Sequence, residues 1–370
     1  MSPSAVLARA ERVRRVRQAM AGAGVDALLL SLGADLPWLT GYHAMPLERL
    51  TMLVLPADAP PTLVVPRLEA PRVDADPNTF AVRPWSESED PVAIVAGLVG
   101  ARTHLAVSDR TWATFVLALQ GVLSAARWRV ASSVTAPLRA VKDDAEVAAL
   151  AAASAAADRV AAQLLGGDVP LVGRREKDVS DDLGRRLIAE GHQAVNFAIV
   201  ASGPNSASPH HEPGTRVIGA GEAVVCDFGG TMDGYCSDIT RTVVTGAPPP
   251  DFDELYQLLE GAQTAAVRAA AVGTPCEEVD GAARQIISAG GLGAHFIHRT
   301  GHGIGIEEHE DPYLVAGNTT PLVAGHAFSV EPGIYLEGRF GARIEDIVVA
   351  TARGPRPLNL ADHRLTVVEA

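Results

Sequence analysis

Residues 295–312 read His-Phe-Ile-His-Arg-Thr-Gly-His-Gly-Ile-Gly-Ile-Glu-Glu-His-Glu-Asp-Pro, and this stretch limits the chain more than any other. Gly301, Gly303 and Gly305 alternate through it, and each glycine costs a helix about 1 kcal/mol against alanine. The run is therefore extended backbone or loop that passes close to something. Four of the eleven histidines, His295, His298, His302 and His309, project from it. Taken alone, the cluster reads as well for a histidine-rich surface loop as for a site. Carboxylates elsewhere in the C-terminal half tip that balance.

Asp227 sits in Val-Val-Cys-Asp-Phe-Gly-Gly and Asp238 in Tyr-Cys-Ser-Asp-Ile-Thr-Arg-Thr. Glu331 sits in Phe-Ser-Val-Glu-Pro-Gly and Glu345 in Ala-Arg-Ile-Glu-Asp-Ile-Val-Val. Burying an ionised carboxylate without a partner costs several kcal/mol, so acids in such apolar, strand-like settings need cations or must protonate. Two hairpin-like segments carry them, 223–244 and 327–350, and partners across a ladder lie about 5 Å apart. Each hairpin is thus expected to present its two acids side by side. Together the four carry a charge of −4, which two divalent ions would balance, and an imidazole could add a nitrogen ligand. Singly, each acid also reads as an ordinary turn residue or ion-pair partner.

A chain of 370 residues exceeds what one core usually holds, so two domains are expected. A net charge of −13 argues against nucleic acid as a partner and suits a protein that holds cations. Three cysteines, Cys226, Cys236 and Cys276, are too few for a disulfide framework and point to a reducing compartment. Cys226 points opposite to Asp227 on a strand, and both Cys226 and Cys236 read as core. The arginine-rich first twenty residues lack the apolar segment of a signal peptide. The alanine-rich stretch 145–165 is interrupted by Glu146, Asp158, Arg159 and Gln163, so no membrane span is expected. The cytoplasm is the expected location.

Residues 4–22 predict a helix, followed by alternating strands (25–31, 50–55, 62–66, 80–82, 105–108) and helices (92–99, 111–119), which is an α/β pattern. Residues 35–41 read as a turn-rich connection. A boundary is expected near 137–142. Beyond it come helices over 143–165, 176–190 and 251–271, then a fourth opening at Thr274-Pro275-Cys276-Glu277, which has the pattern of a capping box. A helix pair followed by a hairpin, twice over, predicts a duplicated half.

From about residue 138 the sequence resembles the pita-bread metallopeptidases, which include Xaa-Pro dipeptidase (prolidase), aminopeptidase P and methionine aminopeptidase. The ligand order Asp, Asp, His, Glu, Glu is met by Asp227, Asp238, His302, Glu331 and Glu345, with the two aspartates eleven positions apart. The resemblance implies an α/β, creatinase/prolidase N-terminal-like domain over 1–137 and an α+β pita-bread catalytic domain over 138–370. It implies that Asp238 and Glu345 bridge two divalent metal ions, Asp227 chelates one, and His302 with Glu331 completes the other. Four carboxylates and one imidazole form an oxygen-rich set, for which Mn²⁺ is the first expectation and Co²⁺, Fe²⁺ or Zn²⁺ the alternatives. Two ions would acidify a bound water, and Glu331 would carry a proton to the leaving proline nitrogen.

The resemblance also places His210 on the substrate side, with His211 as its rival, and His309 near the scissile carbonyl. His298 falls near the metals or the substrate carboxylate, and Arg343 pairs with a ligand carboxylate or the substrate. Hydrogen-bonded support without a chemical role is the competing reading for these groups. The implied activity is hydrolysis of Xaa-Pro bonds in small proline-containing peptides by a homodimer, most simply of dipeptides. Aminopeptidase P activity is the alternative, turning on whether a loop around Trp38 to Arg49 closes the site. A metal-free creatinase-like hydrolase or a non-catalytic binding protein would be expected to lack ligands, and none is missing.

Overall fold

Short apolar runs separated by glycine and proline set the first half of the chain. The computed structural model describes residues 3–368 and divides into two units, 1–139 and 140–370. The first contains α1 (Pro3–Ala23), β1 (Ala27–Leu30), α2 (Asp35–Thr40), β2 (Met52–Pro56), β3 (Thr62–Pro66) and β4 (Ala81–Trp85). It continues with α3 (Pro91–Val99), β5 (His104–Val107), α4 (Ala113–Val122), β6 (Arg127–Val130) and α5 (Ser132–Ala140). The strands form one mixed sheet in the order β4-β3-β2-β1-β5-β6.

Residues 35–40 are helical, not the expected turn. Gly41, at φ 71°, ends α2 in the left-handed region that glycine tolerates. The Asp35 carboxylate accepts hydrogen bonds from Thr135 and Arg139, which ties α2 to α5. Trp38 is 1% exposed and belongs to this core, so it is not a free loop residue. Strand β6 went unread because its Arg-Trp-Arg-Val alternation leaves the arginines exposed and offers no apolar run.

The second unit opens with α6 (Asp144–Leu165), α7 (Glu176–Ala189), β7 (Ala194–Ser202), β8 (Ala223–Met232), β9 (Tyr235–Cys236) and β10 (Ile239–Thr245). Then follow α8 (Phe252–Ala269), α9 (Cys276–Ala289), β11 (Gly301–Gly303), β12 (Glu310–Leu314) and β13 (Ala327–Val330). The chain closes with β14 (Gly333–Leu336), β15 (Phe340–Arg343), β16 (Asp346–Thr351), β17 (Gly354–Pro357) and β18 (Thr366–Val368). One sheet runs β18-β10-β8-β7 with β9 on β8, another runs β12-β11-β13-β16-β17, and β14 pairs with β15. The repeated helix pair and sheet follow the sequence pattern. Val160, Leu164, Val179 and Leu183 of α6 and α7 pack on Val224, Phe228 and Val243. Leu255, Leu259, Val279 and Ile287 of α8 and α9 pack on Phe328, Val330 and Val348.

Two expectations about helices change. The capping box falls at α6, where Asp143 and Glu146 bond reciprocally. It does not form at Thr274: the Cys276 and Glu277 N–H groups donate instead to the carbonyls of Thr320 and Asn318, and the Glu277 carboxylate accepts from Gly317. A neighbouring loop satisfies the donors that a side-chain cap would otherwise take. By length and composition α6 could also cross a membrane, contrary to the reading of its polar interruptions. Here its apolar face is buried against the first sheet of this unit.

Candidate active site

The site forms where strands of the second unit break off. Asp227 lies within β8 and faces Thr240 of β10 across the ladder, not Asp238. Asp238 lies in the gap between β9 and β10, Glu331 follows the end of β13, and Glu345 lies between β15 and β16. The expected side-by-side pairing is therefore corrected for the first hairpin, whereas in the second the register that pairs Val330 with Asp346 leads on to Glu331 opposite Glu345. Where the ladder is interrupted, the chain can turn an acid away from regular alternation, and all four line one cavity of about 280 Å³. An isolated bridge between Thr240 and Glu345 joins the two hairpins, and the Thr240 hydroxyl donates to Glu345 at 2.7 Å.

His302 enters from β11. Its flanking glycines are where the stretch passes close to neighbouring backbone. A Cβ at Gly301 would collide with the Ser329 carbonyl, and one at Gly303 with the Asp311 carbonyl. The strand needs glycine to pass between β12 and β13. The His302 Nδ1–H donates to the Gly303 carbonyl at 3.1 Å, which leaves Nε2 bare. Nε2 lies 3.3 Å from Glu331 Oε1 and 3.8 Å from Asp238 Oδ2. Ligand atoms of Asp238, His302 and Glu345 all lie within 4.8 Å of one another.

Burial raises Asp238 and Glu345 well above the ordinary carboxylate range, and the neighbouring carboxylates add to it. Glu331 is pushed up to about 7, mainly by burial. His302 is pushed down to about 3 by burial and by His309, so its imidazole stays neutral. Asp227 Oδ2 accepts from Arg343 Nη2 at 2.6 Å, whereas its Oδ1 is buried without a partner. Crowded buried acids, an orphan carboxylate oxygen and a bare imidazole nitrogen together fit divalent cations.

The other histidines separate cleanly. His210 lines the cavity. His211 does not share its role: its Nε2 lies 2.8 Å from Glu176, whose side chain is fully buried, so it belongs to the fold beside the site. His309 lines the cavity with its ring centroid 3.9 Å from that of His302. His298 donates through Nδ1 to the Arg299 carbonyl, so its Nε2 accepts from the Tyr335 hydroxyl at 2.9 Å. His295 closes a short 3-10 turn outside the cavity lining.

Arg343 pairs with Asp227, a candidate ligand carboxylate, which is one of its two expected partners. Besides Asp227, it donates to the Thr240 and Tyr335 hydroxyls at 3.0 and 2.8 Å. Sequence reasoning missed Tyr335, Thr240 and Ser329. Ser329 accepts from the His302 N–H and donates to Glu331 Oε1, linking two of the candidate ligands. Nothing in the sequence marks a hydroxyl as such a link. For Tyr335 the register Gly333–Arg343 and Tyr335–Gly341 would have placed it on the arginine's face. All three cysteines are free and buried, and burial lifts the Cys226 and Cys236 thiols to about 12, as expected for core groups.

Behind Glu345 lies a second charged network. Arg241, 1% exposed, donates to Asp346 at 2.8 Å and to the Glu345 carbonyl at 2.7 Å. Gln263 and His363 approach the other Asp346 oxygen at 3.1 and 2.6 Å. Asp346→Asn would leave the guanidinium buried without its counter-charge. The expected loss in a denaturant titration is about 3–5 kcal/mol of stability.

The sequence matches metallopeptidase family M24 over residues 146–352 and the creatinase/prolidase N-terminal domain over 12–141. The chain belongs to metallopeptidase family M24. A relative in Mycobacterium tuberculosis, named probable dipeptidase PepE, is 44% identical over 364 residues, covering 97% of this chain and 96% of the relative. The crystal structure of dipeptidase PepE from Mycobacterium ulcerans superposes with a TM-score of 0.92 at 46% identity, covering 98% of this chain and 99% of that one. A Lactobacillus helveticus Xaa-Pro dipeptidase is 34% identical, with coverage of 96% and 98%. This M24 protein is thus a peptidase, a hydrolase of small peptides that uses divalent metal ions.

Proposed function

We propose that this M24 peptidase hydrolyses Xaa-Pro bonds, with dipeptides as its preferred substrates. One observation carries the reading: a complete metal-donor set and three histidines meet in a cavity of about 280 Å³. Drug-sized ligands occupy pockets of about 300–1,000 Å³, so this one suits a dipeptide. The names of the relatives agree with that scale.

Asp227, Asp238, His302, Glu331 and Glu345 would hold two divalent ions, with Mn²⁺ the first choice for so oxygen-rich a set and Co²⁺, Fe²⁺ or Zn²⁺ the alternatives. When bound, the ions supply an acidified water and polarise the scissile carbonyl. The protein's own groups do the rest. Glu331, steadied by Ser329, takes the proton of the attacking water and passes it to the proline nitrogen, which has no N–H in the bond and must leave as an amine. His309, which lines the cavity with His210 on the substrate side, would meet the carbonyl oxygen, where developing negative charge needs hydrogen-bond donors. His298 is fixed by Tyr335, which in turn is held by Arg343.

The test is a panel of Xaa-Pro, Xaa-Pro-Yaa and Met-Ala peptides with added Mn²⁺. Dipeptides with proline should be cleaved fastest. Faster turnover of Xaa-Pro-Yaa would make the protein an aminopeptidase P. A homodimer and a cytoplasmic location complete the proposal, and light scattering and cell fractionation check them.

A further inference from the structure

His210 reaches the cavity from a segment with no strand or long helix of its own. Residues 203–214 leave β7 through a 3-10 turn, Gly203–Ala207. They return at Gly214, whose carbonyl accepts from the Lys177 N–H at the start of α7. The exposed His210 side chain makes no hydrogen bond or ion pair among the described residues. Where its ring points is therefore set by what holds the residues on either side.

Both sides are held. Before His210, the Pro209 carbonyl accepts from Arg343 at 3.4 Å and the Ser206 hydroxyl accepts from the Gly341 N–H at 2.8 Å. After it, the His211 Nε2–H donates to Glu176 Oε2 at 2.8 Å. Glu176 is the first residue of α7, is fully buried, and gathers the whole segment. At the entry it accepts from the Ser202 N–H and hydroxyl, both at 2.8 Å, and from the Asn205 amide at 3.0 and 3.1 Å. At the exit it accepts, more distantly, from the Gly214 N–H at 3.5 Å. Burial alone would raise its carboxyl, but the bonds from Ser202, His211 and Asn205 outweigh burial and hold it below the ordinary carboxylate range. It is thus an ionised acceptor, at a helix start that favours negative charge. The second half uses the same device: Asp280 of α9 accepts from the Thr300 N–H and hydroxyl at 3.0 and 2.9 Å, between His298 and His302.

We propose that Glu176 is a positioning residue for the peptidase reaction, setting His210 in the cavity by gripping His211 and both ends of segment 203–214. The inference rests on the reading of His210 as a substrate-side group and goes beyond it. His211 thereby serves turnover without touching the substrate, as the handle through which Glu176 acts. A group displaced by about 1 Å can lose on the order of a hundredfold in rate, so a grip of this kind has a measurable kinetic signature.

The test is a double-mutant cycle on Ala-Pro hydrolysis by the Mn²⁺-loaded protein, using Glu176→Gln, His211→Ala, His211→Gln and His210→Ala. Glu176→Gln and His211→Ala should each lower kcat on the order of tenfold to a hundredfold, with KM changing less. His211→Gln should recover part of the loss, because its amide can still donate to Glu176. In the His210→Ala background neither Glu176→Gln nor His211→Ala should cost anything further, since the group they position is gone. Manganese content and melting temperature should change little in His211→Ala, which leaves the buried carboxylate and its other donors in place. If Glu176→Gln does not fold, the His211 variants carry the cycle. Losses that persist in the His210→Ala background, or an unchanged kcat in His211→Ala, would overturn the positioning role alone. Unchanged kinetics in His210→Ala would instead remove His210 from the reaction, and the proposal with it. If no Xaa-Pro peptide is cleaved, the same cycle on Met-Ala decides by the same criteria.

Discussion

Glu331→Gln is expected to keep its metal and lose its turnover. Glutamine preserves a carbonyl oxygen where Glu331 Oε1 stands, 3.3 Å from His302 Nε2 and 3.1 Å from the Ser329 hydroxyl. What it removes is a carboxylate able to gain and release a proton near neutral pH. In the metal-free fold burial pushes this group up to about 7, so it is a carboxylate whose surroundings favour taking up a proton. General acid–base catalysis contributes on the order of a hundredfold to ten-thousandfold, and kcat should fall by that range. Metal content, by elemental analysis after gentle purification, should change little. Loss of metal in parallel with activity would reduce Glu331 to a ligand, and retained activity would remove its proton-carrying role. A chain that purifies without divalent metal, and gains no activity from Mn²⁺ or Co²⁺, would contradict the metallopeptidase assignment itself.

Removing the ions is expected to leave a fold whose stability falls as pH rises. Asp238, Glu331 and Glu345 all have folded-state values raised above those of the unfolded chain. For Glu331 the interval runs from about 4.3 in the unfolded chain to about 7 in the fold. Within it the metal-free fold binds more protons than the unfolded chain, so stability declines as pH climbs through the window. Divalent ions take the place of those protons and cancel the repulsion. An ion present at about a hundred times its Kd adds about 2.7 kcal/mol per site, and its affinity grows as the carboxylates ionise. The melting temperatures of Mn²⁺-loaded and chelated protein should therefore diverge as pH rises from about 4.3 toward about 7, the interval set by Glu331. Burial holds His326 at about 4, so its stabilisation is complete above the unfolded imidazole value and fades as pH falls toward about 4. That contribution is common to both forms and drops out of the difference. A gap that stays constant with pH would show that the acids are not crowded as described.

The sequence and the tertiary structure divided the candidate site between them unevenly. Asp227, Asp238, Glu331 and Glu345 stood out because an acid in an apolar strand-like segment is costly and therefore rare. His302 stood out because glycines flank it. The structure brings all five to one cavity. The supporting hydroxyls did not stand out, since Thr240, Tyr335 and Ser329 are ordinary strand residues until the hairpins are folded together. His210 and His211 differ by one position in the chain, and only packing shows that one lines the cavity while the other meets Glu176.

The same division holds for the fold. Apolar periodicity located most helices of the second unit to within a few residues, because burial of one face is a local pattern repeated along the helix. It failed for α2 and β6, and the capping pattern failed at α9, whose start was nevertheless placed within a residue or two. The α9 N–H groups are met by a loop some forty residues away in sequence, which no capping pattern can encode. By itself the sequence determined which atoms could hold cations, since charge and burial cost are properties of residue type. How Arg343 and His211 are held was decided only by the tertiary structure. Hydrogen-bond saturation belongs to an assembled neighbourhood, and here it commits Arg343 to Asp227, Thr240 and Tyr335, and His211 to Glu176.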